Sequence, residues 1–416
     1  MRKEKTKPVV MAILSATFVA ISAMGLVACE KAPESFVCPE TNLTLELSYD
    51  QSHYVVTNCP TDKTELVIKE SYYKKPVKSI EKDTFKDCIR LKKLSIPDCM
   101  TYISDGALDY CRNLEYNEAS GCKYLGNESR PYLYLLKPCS SDIEELTVES
   151  ECKIIGSQAF LGCASLTCVT AQGKLEQIQA LAFQNCDALK SVSLNGGVES
   201  IRESAFYDCD VLESVIIQGG LKEIRNRAFS SCGKLKNITL PEGLTSIGVG
   251  AFYECAFESV ELPNTLTTID SSAFNHCQSL KSITIPDSVT KIGEMAFSCC
   301  GRLKTLKLGK GVTNISYQAF AETGLTSLVI PEWVDHLWGS AFYGSDIESV
   351  VIPVSVKVIG PEAFAYCSKL AKIEYNGTKA QWEKVKKNNM WDWKIRAKEV
   401  VCKDGTVNIN SLDKLN

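Results

Sequence analysis

Ile155-Gly156-Ser157-Gln158-Ala159-Phe160-Leu161-Gly162-Cys163-Ala164-Ser165-Leu166 returns in altered form at Ile201–Leu212, at Ile224–Leu235 and again at Ile269–Leu280. The phenylalanine is the easiest position to follow. It recurs at 160, 183, 206, 229, 252, 274, 297, 320, 342 and 364, a period of 23 residues with occasional steps of 22. A repeat of this length cannot bury its own apolar face and becomes stable only when stacked on its neighbours. The chain therefore reads as a β-rich repeat solenoid with short turn or helical segments.

Each unit spells out one strand. A Leu, two polar residues, an aliphatic residue, one polar residue and another aliphatic residue run from Leu189 to Leu194, Leu235 to Leu240, Leu280 to Ile285 and Leu325 to Ile330. Pro241, Pro263, Pro286, Pro331 and Pro353 follow directly, and proline, lacking an N–H, cannot continue a ladder. The 22-residue steps lose one residue in the turn, at Cys255-Ala256-Phe257, Thr323-Gly324-Leu325 and Ser345-Asp346-Ile347, so the strand register is expected to survive.

The recurring order Ile-x-x-x-Ala-Phe-x-x-Cys-x-x-Leu-x-x-Ile-x-Leu-Pro resembles the BspA-like type of leucine-rich repeat, a family of bacterial and some protist surface proteins. The resemblance spans Lys78 to Tyr375 and implies a right-handed solenoid with a parallel sheet along one face. The ending, Tyr375 to Trp382 and then Val400 to Thr406, is similar to that family's terminal unit, with a short helix over Gln381 to Lys387.

The organisation expected is a lipoprotein signal peptide at 1–29, a tether at 30–37, an N-terminal β cap at 38–77, the solenoid at 78–375 with an irregular insertion at about 112–153, and a C-terminal cap at 376–416. Arg2, Lys3, Lys5 and Lys7 precede an apolar run that ends in Leu26-Val27-Ala28-Cys29. This pattern resembles a lipobox, with Cys29 the lipidated residue. An uncleaved signal anchor is the alternative, since about 20 apolar residues suffice to span a bilayer. Either reading places the body outside the cytoplasmic membrane, attached to it through the N-terminus.

Ten of the twenty cysteines sit three residues after the Phe position, and Thr323 and Ser345 fill the same place in two units. Such a column reads as a buried ladder of small residues, because free Cys packs as a small hydrophobe. Neither the column nor Cys299-Cys300 offers the paired short spacing of a zinc site, and no metal or other cofactor is expected. Cys38 and Cys59 bracket the cap and could pair in an exported protein or remain free.

Catalysis finds no support in sequence. His53, His276 and His336 lie in no nucleophile or metal motif, and no glycine-rich phosphate loop occurs. The 46 basic against 50 acidic residues, with a pI near 5.7, give no electrostatic case for nucleic acid. The expectation is a non-enzyme.

Side chains alternate along a strand, so each strand has two outward positions. The candidate ligand-contacting residues are Ser191, Ser193, Ser214, Ile216, Asn237, Thr239, Ser259, Glu261, Ser282, Thr284, Thr305 and Lys307. Short polar residues also simply suit an exposed sheet. The irregular stretch Tyr124 to Leu136 suggests a hairpin leaving the solenoid, either for specificity or as a tolerated insertion. The expected function is adhesion or protein binding at the cell surface, with a host or neighbouring-cell protein as partner. The rival is a carbohydrate or cell-wall binding module using Trp382, Trp391 and Trp393, unless these are buried within the cap.

Overall fold

The structure, a computed structural model, describes residues 31–59 and 62–409. Cys29 and the segment expected as signal peptide lie outside these residues. The chain is a β-solenoid with a single short helix among the described residues. Most turns contribute two strands and one corner, and from Phe160 onward the corners are hydrogen-bonded to one another.

The longer strands form the sheet that the sequence foretells: Glu145–Val148, Cys168–Ala171, Ser191–Leu194 and Ser214–Ile217 pair in parallel, Ser191 opposite Ser214 and Val192 opposite Val215. A second sheet, not anticipated, is made of two-residue strands such as Gln177–Ile178, Ser200–Ile201 and Glu223–Ile224. It runs from Ile154–Ile155 to Lys291–Ile292 and resumes at Asn314–Ile315. In sequence these pairs read only as the approach to the Ala-Phe corner, too short to show a period of two.

The corner supplies the third ladder. Phe160 N–H donates to the Ala182 carbonyl at 2.7 Å, and Phe183, Phe206 and Phe229 repeat the bond to Ala205, Ala228 and Ala251. This geometry needs left-handed backbone two residues before the Phe and two after it, as at Leu181 (φ 61°) and Asn185 (φ 57°). Non-glycine residues adopt that region at a cost, which the inter-turn hydrogen bonds offset. Inside the corner the Phe rings stack face to face along the axis, with Phe206 and Phe229 centred 5.1 Å apart at 1°. The stack is continuous from Phe160 to Phe364.

At the N-terminal end Ser35–Val37, Thr44–Leu47 and Tyr54–Asn58 form an antiparallel cap, and Tyr54–Asn58 then pairs in parallel with Lys75–Ile80. The cap thus begins inside the stretch expected as tether, because Phe36 packs edge-on against Tyr54 and Tyr72, each at 5.2 Å. Stacking also starts earlier than Lys78. Glu65–Val67 pairs with Lys93–Ser95, and Cys59 N–H donates to the Thr84 carbonyl as a corner Phe would. Cys38 and Cys59 are both buried free thiols.

The irregular stretch does form a hairpin, with Cys122–Leu125 antiparallel to Tyr134–Pro138, but it does not leave the solenoid. Tyr134 and Leu135 pair in parallel with Ile154 and Ile155, extending the short-strand sheet. Tyr124, Leu125, Leu133, Tyr134 and Leu135 are all buried, joining the N-terminal core to the main one.

At the C-terminal end the helix spans Lys379–Lys384, closed by a capping box between Thr378 and Gln381. It is shorter than expected because Lys386–Lys387 is drawn into the short-strand sheet beside Val358–Ile359. Glu399–Cys402 and Gly405–Asn408 complete the longer-strand sheet.

Candidate functional site

The alternation read from sequence holds on the longer-strand sheet. Val192, Val215 and Ile283 point into the core, whereas Ile216, Asn237, Thr239, Ser259, Glu261, Ser282, Thr284, Thr305 and Lys307 are exposed. Ser191, Ser193 and Ser214 are half-buried on the same outward side.

The face is less uniform than its sequence. The ladder stops after Asn237–Ile238, survives only as a bridge between Ser259 and Ser282, and resumes with Ser282–Thr284 beside Thr305–Lys307. Thr239 accounts for one side of the break. Its hydroxyl accepts from the Ile217 N–H at 2.8 Å, taking the place of a backbone partner. Opposite it, Phe257 turns edge-on to Phe252 at 5.5 Å in the first of the shortened units. The break leaves a depression of about 460 Å³ lined by Ser214, Ile216, Asn237, Thr239, Ser259 and Glu261 among others. Six of the twelve residues singled out from sequence thus meet in one place, and the other six flank it along the sheet.

The cysteine column is buried as expected, but small size is only half of its character. Cys209 Sγ donates to the Phe183 carbonyl at 3.1 Å, Cys232 Sγ to Phe206 at 3.1 Å and Cys255 Sγ to Phe229 at 3.2 Å. Ser345 Oγ makes the same bond to the Phe320 carbonyl at 2.9 Å. The position selects a small hydrogen-bond donor, a signal already present in the Thr and Ser that replace Cys there. Burial pushes the Cys300 and Cys367 thiols up to about 12 and holds Cys255 and Cys277 well above the ordinary range. Such thiols stay protonated and unreactive.

The histidines remain apart. His53 lies at the cap beside Asp50, His276 packs edge-on against Tyr253, and His336 bonds Asp335 at 2.6 Å and stacks on exposed Trp338. Among the described residues no group of three or more His, Cys, Asp or Glu is arranged to hold a metal ion. Of the tryptophans at the C-terminal end, Trp382 and Trp391 are buried, with Trp391 in the place of a corner Ala: its carbonyl accepts from Phe364 N–H at 2.9 Å. Trp393 is half-buried under Lys394 and against Tyr366.

Strand, proline stop, short strand, and a corner of stacked Phe with a thiol donor make one unit, and the sequence matches the BspA type leucine rich repeat region in six copies over residues 63–129, 134–255 and 245–371. The chain belongs to the BspA-type leucine-rich repeat family. The gap in the match between 129 and 134 falls within the hairpin that interrupts the BspA-type units. No curated protein matches the chain. Among solved structures, a leucine rich cell surface protein from Faecalibacterium prausnitzii is 25% identical, covering 86% of this chain and 98% of that one, with a TM-score of 0.39. A leucine-rich repeat protein from Bacteroides ovatus is 21% identical over 85% and 98% of the two chains, with a TM-score of 0.41. The pneumococcal vaccine antigen PcpA is 17% identical over 87% and 98%, with a TM-score of 0.37.

Proposed function

We propose that this BspA-type chain is a surface-anchored, non-catalytic protein-binding or adhesion protein, held to the membrane by lipid on Cys29 and contacting its ligand through the longer-strand sheet. One observation carries the reading: apolar Ile216, 44% exposed, stands among Asn237, Thr239, Ser259 and Glu261 at the break in the ladder. An exposed apolar side chain ringed by short polar groups is the composition of a small protein-contact patch. Membership in a family of repeat surface proteins supports the same direction. Trp382 and Trp391 are buried within the cap, which does not favour the carbohydrate reading.

A photo-crosslinking residue at position 216 of the full chain, incubated with candidate matrix and cell-surface proteins, tests the proposal. A crosslink that is lost on Thr239→Arg and Ser282→Arg is expected. Capture that persists in both variants would place the ligand elsewhere. The anchor has its own check: Cys29→Ala is expected to move the protein from the detergent phase to the aqueous phase of a detergent partition, and an unchanged distribution would defeat the lipidation claim.

A further inference from the structure

The tryptophans of the cap are buried, but Trp338 is not. It follows the short strand His336–Leu337, two turns before Lys386–Lys387, and its ring is 52% exposed. Alternation sends Leu337 into the core and turns both His336 and Trp338 outward. Their rings stack at 5.8 Å and 22°, so His336 covers one face of the indole and the exposure belongs to the other. The neighbours of Trp338 along the solenoid axis are small. The register that pairs Leu337 with Ile315 and with Ile359 sets Ser316 on one flank and Gly360 on the other. A second ring stands close by: Tyr317, 42% exposed, lies against the backbone of Gly339, where a Cβ would come within 3.4 Å of its Cδ2.

From Gln177–Ile178 to Asn314–Ile315, every short strand presents polar residues or glycine at these two outward positions, such as Glu223 and Arg225 or Thr268 and Asp270. The aromatic pair first enters this run at His336.

Hydrogen-bonding groups border the rings. One carboxylate oxygen of Asp335 lies 2.6 Å from His336 Nδ1, and the other lies 3.5 Å from Lys357 Nζ. An ionised carboxylate only accepts, so Nδ1 carries the proton, and in the neutral imidazole Nε2 on the far edge is left as an acceptor. Asn314, beside His336 in the ladder, adds an amide that both donates and accepts. Charge is balanced: Asp335 sits between His336 and Lys357, and of the next charged groups Glu362 is held by Ser340 at 3.3 Å while Lys386 lies beyond Val358. The place therefore favours neither an anion nor a cation.

A flat apolar ring bordered by mixed donors and acceptors matches a pyranose sugar, whose C–H face is apolar and whose rim hydroxyls each donate and accept. A protein partner would call for an apolar surround. Of the four ladder positions beside His336 and Trp338, only Val358 carries an aliphatic side chain.

We propose that Trp338, with Tyr317, His336, Asp335, Asn314 and Lys357, forms a binding site for a neutral glycan, the indole stacking on one sugar ring and the polar groups engaging its hydroxyls. The site is separate from the sheet face and stands independently of the protein-binding reading.

The probes are cellotetraose, mannotetraose, chitotetraose and lactose, titrated into the full chain in a sugar-free detergent and followed by calorimetry and saturation-transfer NMR. Saturable binding of at least one probe is expected, with transfer strongest at the C–H protons of one sugar face. Trp338→Ala should weaken it at least tenfold. His336→Phe, which keeps the ring stack and removes Nε2, and Lys357→Ala, a surface change, should each weaken it at least threefold. Trp393→Ala and Thr239→Arg are expected to leave it unchanged. Failure of all four sugars to bind at millimolar concentration, binding undiminished in Trp338→Ala, or equal loss in Trp393→Ala would overturn the proposal. A photo-crosslinking residue at position 338 that captures a protein while every sugar fails would overturn it in favour of a protein contact. Loss of ligand crosslinking at position 216 alongside intact sugar binding would count against the sheet-face reading alone, and the reverse pattern against the glycan site alone.

Discussion

Cys232 shows what one residue of the column does. Its thiol is the only partner that the Phe206 carbonyl has among the described residues, at 3.1 Å in a fully buried site. Cys232→Ser keeps a donor there, as Ser345 does naturally, and is expected to cost less than Cys232→Val. The Val variant strands a buried acceptor and should lose about 1 to 3 kcal/mol. Urea denaturation of the two variants checks the order, and equal losses would mean that size alone governs the position. Phe229 is the neighbouring case. Its ring is stacked on both sides, by Phe206 at 5.1 Å and Phe252 at 5.6 Å, so Phe229→Ala should cost about 3 to 5 kcal/mol. Accessibility separates the thiols as well. Cys139 is the exposed cysteine among the described residues, and iodoacetamide is expected to modify it well before the ladder, which should react only after unfolding.

At the scale of elements, the short strands depend on how closely successive turns approach. Gly293 ends the strand Lys291–Ile292, and a Cβ there would lie 2.3 Å from the Ser271 nitrogen. Backbone cannot yield as a flexible side chain can, so Gly293→Ala is expected to destabilise the stack by more than 1 kcal/mol, measurable as a fall in the denaturant midpoint. The same residue reads in sequence only as a turn glycine. The longer strands show the opposite balance: their inward and outward positions were legible from alternation alone, because Val192 and Ser193 differ in the property that burial selects. The break at Thr239 was not legible. A threonine at an outward strand position is ordinary, and only the folded chain brings its hydroxyl to the Ile217 N–H.

For the molecule as a whole, the buried thiols couple stability to pH. An exposed thiol in the unfolded chain titrates near 8.5, while burial holds Cys300 and Cys367 near 12 and Cys255 and Cys277 well above the ordinary value. Above pH 8.5 the unfolded state therefore binds fewer protons than the folded one, and stability falls as pH rises. Their contribution is fully present below about pH 8.5 and declines toward the folded values, by about 1.4 kcal/mol per pH unit for each thiol. Melting temperature is expected to hold steady from pH 6 to 8 and drop steeply between 9 and 11. Replacing two of these Cys with Ser should make the drop shallower; a profile that does not change would refute the coupling.

The 23-residue period by itself determined the solenoid, the buried Phe and Cys columns and the outward face of the longer strands. Each follows from a residue's apolar or polar character recurring at a fixed interval. Tertiary structure alone decided the rest. The second sheet rests on strands too short to carry a period, the thiol donors rest on carbonyls 26 residues away in sequence, and the hairpin at Tyr124 to Leu136 is core because neighbouring turns cover it. The gap between the corners at Leu108 and Phe160 has no residue of its own to read. It exists because two corners are stacked with a cornerless turn between them.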